Sequence, residues 1–217
     1  MSDNDPASLF DAIVRERRTV KALSSEPLPP TDIREHVDAI VAAAGWAPFH
    51  KPAARSHREG DLSSNHPWRC YKLDAVACRS IRLRLIDSGD TTKIPQMLAV
   101  ADALIQLTWL PNQASNGNRD LLFDPTQENM EHIAAASAAA QNILLAATSR
   151  NIHNYWSSGG ALRSPELFDW LGIPENEILL GALFLFPSDL NGIETKPGSL
   201  RDKRGETHQW SCWIQHR

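Results

Sequence analysis

Arg17-Arg18-Thr19-Val20-Lys21 is a run whose residue types and spacing suit a ligand. If the backbone is extended from Arg17 onward, Arg17, Thr19 and Lys21 point to one side, because side chains alternate along a strand. Two cations and a hydroxyl then lie on one line, which matches an elongated phosphorylated ligand with an electron-rich ring at its far end. An arginine offers a fork of donors to phosphate, and a lysine is a point charge suited to a place where negative charge develops. The same run also reads as a solvated helix end whose dipole the arginines complement. His50, His57 and His66 invite comparison with a metal site, but their spacing is irregular, and they read as solvated loop histidines with no metal. The chain has no phosphate-binding G-x-x-x-x-G-K-[ST], no G-x-G-x-x-G, no H-E-x-x-H and no G-x-S-x-G.

Elements must hold these residues in place. Asp5-Pro6 reads as a helix cap followed by proline, and Leu9, Phe10, Ile13 and Val14 give that helix one apolar face. It ends in Arg15-Glu16-Arg17-Arg18, and an extended stretch, 19–23, follows. Thr31 is placed to cap a second helix carrying Ile33, Val37, Ile40, Val41 and Ala44, which Pro48 stops. Residues 51–64 are polar and aperiodic, an inserted loop with too little apolar surface to anchor it in a core. Residues 68–73 predict a strand, Asp74 caps a helix running to about Ile86, and 97–110 hold a strand with part of a helix before it. Asp124-Pro125 repeats the cap-plus-proline signal ahead of a long helix over 127–150. That helix is rich in alanine and apolar around most of its circumference, so it is expected to be buried on all sides, partly by a second subunit. Ser164-Pro165 starts a short helix that Gly172 ends. The apolar run 179–186 predicts a central strand buried on both faces. At the C-terminus, 209–214 alternates Trp210, Cys212 and Ile214 against Ser211 and Trp213, the pattern of a strand.

Composition narrows the partners. Lys+Arg number 22 against 26 Asp+Glu, a net charge of -4, which leaves no cationic excess for a nucleic acid. A few local Arg and Lys are still enough to hold one small anion. With 42% apolar residues the chain can build a sizeable core. The polar, acidic N-terminus lacks the features of a signal peptide, and the longest apolar stretch, 133–147, is too short and too polar to span a bilayer. Cys70, Cys78 and Cys212 have no metal-ligand spacing and read as the reduced thiols of a cytoplasmic protein. The 217 residues suit a single domain with an insertion at 51–64 and an arm over about 196–217.

Arranged in order, several segments resemble the nitroreductase family. The run from Arg17 to Lys21 resembles the family's R-[RH]-S-x-[RK] start. Trp46-Ala47-Pro48 and Asn65-His66-Pro67-Trp68 resemble the two halves of W-[AS]-P-S-x-x-N-x-Q-P-W, with His66 in place of Gln and the insertion between the halves. Gln141-Asn142-Ile143-Leu144-Leu145-Ala146-Ala147 is similar to Q-N-L-L-L-A-A, and Leu171-Gly172-Ile173-Pro174-Glu175 to L-G-I-P-E. Ser157-Ser158-Gly159-Gly160 lies where the family places backbone amides near the flavin ring. Lys196, Arg201, Lys203 and Arg204 lie where a C-terminal K-x-R completes the phosphate site. The likeness runs from about Ile13 to Arg204. It departs at Phe49-His50, which replaces a small serine-containing pair beside the ring, at Asn151-Ile152-His153 for G-L-G, and at Leu185-Phe186-Pro187 for G-Y-P.

The resemblance implies an α+β fold, a mostly antiparallel central sheet wrapped by helices, in an intertwined homodimer with two FMN sites at the interface. It implies an FMN-dependent oxidoreductase that takes electrons from NAD(P)H and passes them to a small organic acceptor such as a nitro compound or quinone, the two substrates alternating in one slot. The cofactor-binding residues it implies are Arg17, Arg18, Thr19, Lys21, Pro48, Phe49, His50, Asn65, Ser157, Ser158, Gly159, Arg201, Lys203 and Arg204. Lys21 would tune the ring, and no catalytic acid or base is required. Two other readings stay open: a flavin-binding or flavin-storage protein of the same fold without turnover, and an unrelated α+β enzyme for another phosphorylated ligand.

Overall fold

The computed structural model describes residues 5–112 and 123–214. In chain order the helices and strands are α1 (Pro6–Glu16), β1 (Val20–Leu23), α2 (Arg34–Ala44), β2 (Trp68–Asp74), α3 (Ala75–Asp87), α4 (Ile94–Val100), β3 (Ala103–Trp109), α5 (Gln127–Thr148), β4 (His153–Ser157), α6 (Pro165–Leu171), β5 (Ile178–Phe186) and β6 (Glu194–Pro197).

The two most apolar strands take the middle of the main sheet. All seven residues of β3 are buried, as are the last six of β5. A strand covered on both faces needs no polar side, so the run of β5 is continuously apolar, while β3 buries Gln106 and Thr108 among its apolar residues. The sheet is antiparallel throughout, in the order β2-β3-β5-β4. Alternation along β5 sends Ala182, Phe184 and Phe186 to one face, where α3, α4 and α6 contribute Cys78, Ile81, Met97, Leu98 and Phe168. Leu183 and Leu185 go to the other face, where α2 and α5 contribute Val37, Ile40, Ala139 and Ile143. This is the expected α+β arrangement. A second, two-stranded sheet pairs β1 with β6, and a parallel bridge from Thr19 to Asn154 ties it to the β4 edge. Among the described residues no helix is long and apolar enough to cross a membrane.

Several local expectations hold for the expected reason. Asp5 accepts from Ser8 N at 3.3 Å with Pro6 opening α1, Asp74 accepts from Ala77 N at 2.9 Å, and Gly172 ends α6 at φ 68°. Others need correction. Thr31 does not cap α2: the helix starts at Arg34, and its N–H is met by Asp32 Oδ1 at 3.1 Å. The cap of α5 is Thr126, not Asp124, because the Thr126 hydroxyl stands three residues before the Asn129 N–H that it accepts, at 3.2 Å. The expectation for α5 included cover from a second subunit, and a single chain covers it only in part. Ala135, Ala136, Ala139, Ala140, Ile143 and Leu144 are covered, while Ala134 is exposed and Ser137, Ala138, Gln141 and Leu145 are only half-buried. The expected strand over 209–214 is absent: Thr207–Gln209 make a 3-10 turn, and the chain beyond it pairs with nothing among the described residues. Alternating residue types do not make a strand without a ladder partner.

The insertion is anchored after all, by polar contacts. Arg69, only 4% exposed, donates to the carbonyls of His66 (2.7 Å), Trp68 (2.8 Å), His57 (2.8 Å) and Ser64 (3.3 Å). Ala53 is buried and donates to Asn65 O at 2.9 Å. His57 is not a solvated loop histidine. It is buried, and its Nε2 lies 2.8 Å from Pro111 O. A carbonyl only accepts, so Nε2 carries the hydrogen, and Nδ1 is left to accept from Asn176 Nδ2 at 3.4 Å.

Candidate functional site

β1 leaves the end of α1 and lies against β6 with Lys21 directly opposite Lys196. Partners across an antiparallel ladder share a face, and like charges there repel. Lys93, at the start of α4, joins them, and its ammonium is held below the usual lysine range by Lys196 first and by Lys21 as well. Lys196 keeps its own proton through Glu194, at 2.8 Å, so Lys93 bears the repulsion. Three ammonium groups therefore meet one carboxylate.

A cavity of about 1080 Å³ opens beside this ladder, lined by Thr19, Lys21 and Tyr155 on one side and by Lys196, Gly198, Arg201 and Arg204 on the other. The chain crosses closely here. Gly198 N–H donates to Thr19 O at 2.9 Å, and a Cβ on Gly198 would come within 3.1 Å of Thr19 Cβ. Arg201 closes the end of α1, donating to Arg17 O at 2.9 Å and to Arg15 O, which satisfies carbonyls the helix leaves open. The Arg17 guanidinium is half-buried and depressed by that burial, and then by Arg204 and Arg201 beside it. A second group of cations thus gathers at the α1 end of the cavity. Such a surface can bind a dianion at one end and stabilise negative charge at the other.

Of the residues expected at one site, Arg18, Thr19, Lys21, Arg201 and Arg204 line this cavity, and Arg17 does not line it but lies beside Arg201 and Arg204. Arg18 lines the cavity and also the neighbouring cleft on the other side of β1. Lys203 is exposed and does not line the cavity. Pro48, Phe49, His50 and Asn65 form a separate group. Phe49 packs on His66 (ring centroids 5.2 Å apart) and edge-on against Trp68 (5.8 Å), Pro48 and His50 are exposed, and Asn65 Oδ1 accepts from Arg58 at 3.0 Å. None of the four lines the Lys21 cavity. Ser157, Ser158 and Gly159 end β4 just past Tyr155. The Gly159 N–H is already donated to Ser157 Oγ at 3.2 Å, and the Ser158 carbonyl accepts from Arg163 Nε. Position 159 demands glycine: φ is 107°, and a Cβ would sit 2.6 Å from Leu179 Cδ2.

Sequence reasoning missed Lys93 and Tyr155. Neither belongs to a run with a recognisable spacing, and only the β1–β6 pairing brings Lys93 to Lys196. It also missed Glu177, a buried carboxylate just before β5. Glu177 accepts from Tyr71 at 2.8 Å and from Thr108 at 2.5 Å. Burial pushes its carboxyl up, against the pull of both hydroxyls and of Arg69. Among the described residues no three His, Cys, Asp or Glu are grouped to hold a metal.

Comparison with known proteins places this arrangement. Residues 14–185 match the family model described as the nitroreductase family. A nitroreductase-like protein from Bacillus cereus superposes with a TM-score of 0.60 at 18% identity, covering 100% of each chain. A Desulfovibrio desulfuricans protein described as a nitroreductase, in complex with FMN, gives 0.58 at 19% identity over 99% of each chain. A Bacteroides fragilis nitroreductase with bound FMN gives 0.56 at 19% identity over 94% of this chain and 98% of its own. The match runs from the end of α1 almost to the end of β5, through every strand of the main sheet, and on that ground the chain belongs to the nitroreductase family.

Proposed function

We propose that this protein is an FMN-dependent oxidoreductase that takes electrons from a nicotinamide nucleotide and reduces a small organic acceptor. The carrying observation is the cation excess at the 1080 Å³ cavity: Arg18, Lys21, Lys196, Arg201 and Arg204 line it against the single carboxylate of Asp202, with Lys93 and Glu194 beside Lys196 and with Arg17 beside Arg201 and Arg204. Like charges are gathered at such cost where an anion offsets it. The two relatives that carry FMN support the choice of flavin. Bound FMN supplies two-electron redox chemistry. Arg17 and Arg204 would hold its phosphate with Thr19, and Arg201 would brace them through the end of α1. Lys21 would stand at the ring end, where negative charge accumulates on reduction. The backbone at Ser158 and Gly159 would border the ring.

The active form in this reading is a cytoplasmic homodimer. Within one chain Phe49, His50 and Asn65 are apart from the Lys21 cavity, and a second copy is the simplest way to bring such a group to it. α1 has no buried residue although Leu9 and Phe10 are 61% and 58% exposed. Trp213 and Ile214 are 97% and 81% exposed, and the outer edge of β2 is unpaired among the described residues. Large apolar groups and open strand edges are what an intertwined interface covers.

The test is to denature the purified protein, chromatograph the released flavin, and titrate the intact protein with NADH and NADPH under argon before a panel of quinone and nitro acceptors. About one FMN per chain, bleached by a nicotinamide and reoxidised by an acceptor, is expected. FMN that no nicotinamide bleaches would identify a flavin-binding protein without turnover. FAD, or no flavin uptake at all, would overturn the proposal. Arg17→Ala should weaken FMN retention roughly ten- to a hundred-fold, the loss of one charged hydrogen bond.

A further inference from the structure

Lys21 sits in an awkward place for a residue expected to hold one position. Its four-carbon stem is flexible, and Lys196 across the ladder and Lys93 beside it both repel it. The nearby carboxylate, Glu194, is engaged with Lys196. None of the ion pairs among the described residues includes Lys21. Left to these forces, the ammonium would swing away from the cavity. Its attractive contact is the face of Tyr155: Nζ lies 5.0 Å from the ring centroid. A cation over an aromatic face within about 6 Å is drawn to the ring's negative quadrupole.

That ring is itself held from behind. Tyr155 lies on β4 opposite Phe184 of β5, with ring centroids 6.2 Å apart, and fully buried Phe184 stacks on Phe186 at 5.9 Å. The ring is half-buried and lines the cavity. We propose that Tyr155 is a positioning residue that pins the Lys21 ammonium inside the cavity through its ring face. This rests on the FMN reading for its redox consequence, though not for the contact itself. A fixed cation at the ring end favours the reduced, anionic flavin over the neutral oxidised form, so the hold acts on potential more than on affinity for oxidised FMN.

The experiment compares Tyr155→Leu with Tyr155→Phe, which keeps the quadrupole and loses only the hydroxyl. In flavin-free wild type, proton NMR should show the Lys21 ε-methylene shifted upfield by the ring current, with Lys21→Arg assigning the signal. The shift should vanish in the Leu variant and persist in the Phe variant. With FMN bound, Tyr155→Leu should weaken reduced-flavin binding about five-fold relative to oxidised. At about 30 mV per tenfold for a two-electron couple, the midpoint falls by about 20 mV. Tyr155→Phe should restore it, and in a Lys21→Met background Tyr155→Leu should have no effect. An unshifted Lys21 ε-methylene in wild type overturns the proposal without any Tyr155 variant. So does a Phe variant that behaves like the Leu variant, or a Leu effect that persists without Lys21. Failure of wild type to take up FMN would sink the cofactor reading alone, since the flavin-free spectrum still decides whether Tyr155 holds Lys21.

Discussion

Replacing Arg69 by methionine tests whether the 51–64 insertion is a pinned rim or a loose excursion. The substitution keeps most of the side-chain volume and removes a cation that is 4% exposed and donates to four carbonyls, those of residues 57, 64, 66 and 68. Each charged hydrogen bond is worth about 1.5–3 kcal/mol in isolation, and these do not add, because part of the sum offsets the cost of burying the guanidinium. Taking one partner from a buried charged cluster costs about 3–5 kcal/mol. At roughly 2–4 °C per kcal/mol for a chain of this size, the melting midpoint should fall by about 6–20 °C. Hydrogen exchange adds the location: the Ala53 and His57 amides, bonded to Asn65 O and Ala54 O, should lose protection before the central strands do. Glu177 adds a pH signature. Its carboxyl is already raised in the folded protein by burial, and Arg69 opposes that rise. A raised folded value means the folded state binds the proton more tightly, so its stability declines as pH rises through the window between unfolded and folded values. Without Arg69 that window widens upward, and the deficit of the variant should be larger at pH 8 than at pH 5. A midpoint within about 2 °C of wild type, or a deficit that shrinks with pH, would refute the reasoning.

Three further outcomes are expected. Asp102 is 4% exposed and pushed up to about 6, chiefly by burial, so wild-type stability should decline relative to Asp102→Asn as pH rises from about 4 to 6 and run parallel above 7; denaturant melts across that range check it, and parallel curves throughout would contradict it. Gly181→Ala should cost about 1–3 kcal/mol, because a Cβ there would lie 2.1 Å from Trp156 Nε1 and the indole must move; an unchanged denaturation midpoint would show that the ring has room. Burial pushes the Cys70 and Cys78 thiols up to about 12, so at pH 8 a chromogenic disulfide should label neither until the protein is unfolded, whereas rapid native labelling of either would show an accessible thiolate.

What was legible in the sequence was whatever is decided within a few residues. Asp5 and Asp74 cap helices whose open N–H groups lie three positions on, and the unbroken apolar run of β5 follows from burial on both faces. Strand alternation puts Thr19 and Lys21 on the cavity side, but Arg18 lines the cavity and Arg17 does not, because the strand itself begins only at Val20. What was hidden depends on distant partners. Glu177 meets Tyr71 and Thr108 across 106 and 69 residues, and nothing local marks it as buried. His57 lies in a stretch that looks solvated, and its cover is a carbonyl at Pro111. β6 is four exposed residues ending in proline, a strand only because β1 lies beside it. The converse error was 209–214, which has the alternation of a strand and no neighbour to pair with among the described residues.

The Lys21–Lys196 face-off has a bearing on how long a newly made chain survives. Ala22 and Leu23 anchor β1 in the core, but its partner β6 is exposed throughout and the ladder between them carries a repelling pair, while α1 has no buried residue to steady it. Until an anion arrives, β6 and α1 should be the first parts to open, and opened segments are where proteases cut. Limited proteolysis of cofactor-free protein should nick α1 or the segment around β6, more slowly as phosphate is added at constant ionic strength; a cutting rate indifferent to phosphate would break the link. If the link holds, the repulsion works as a clock. Chains that find their anion are kept, those that do not are cleared, and the amount of this protein in a cell follows the supply of the ligand.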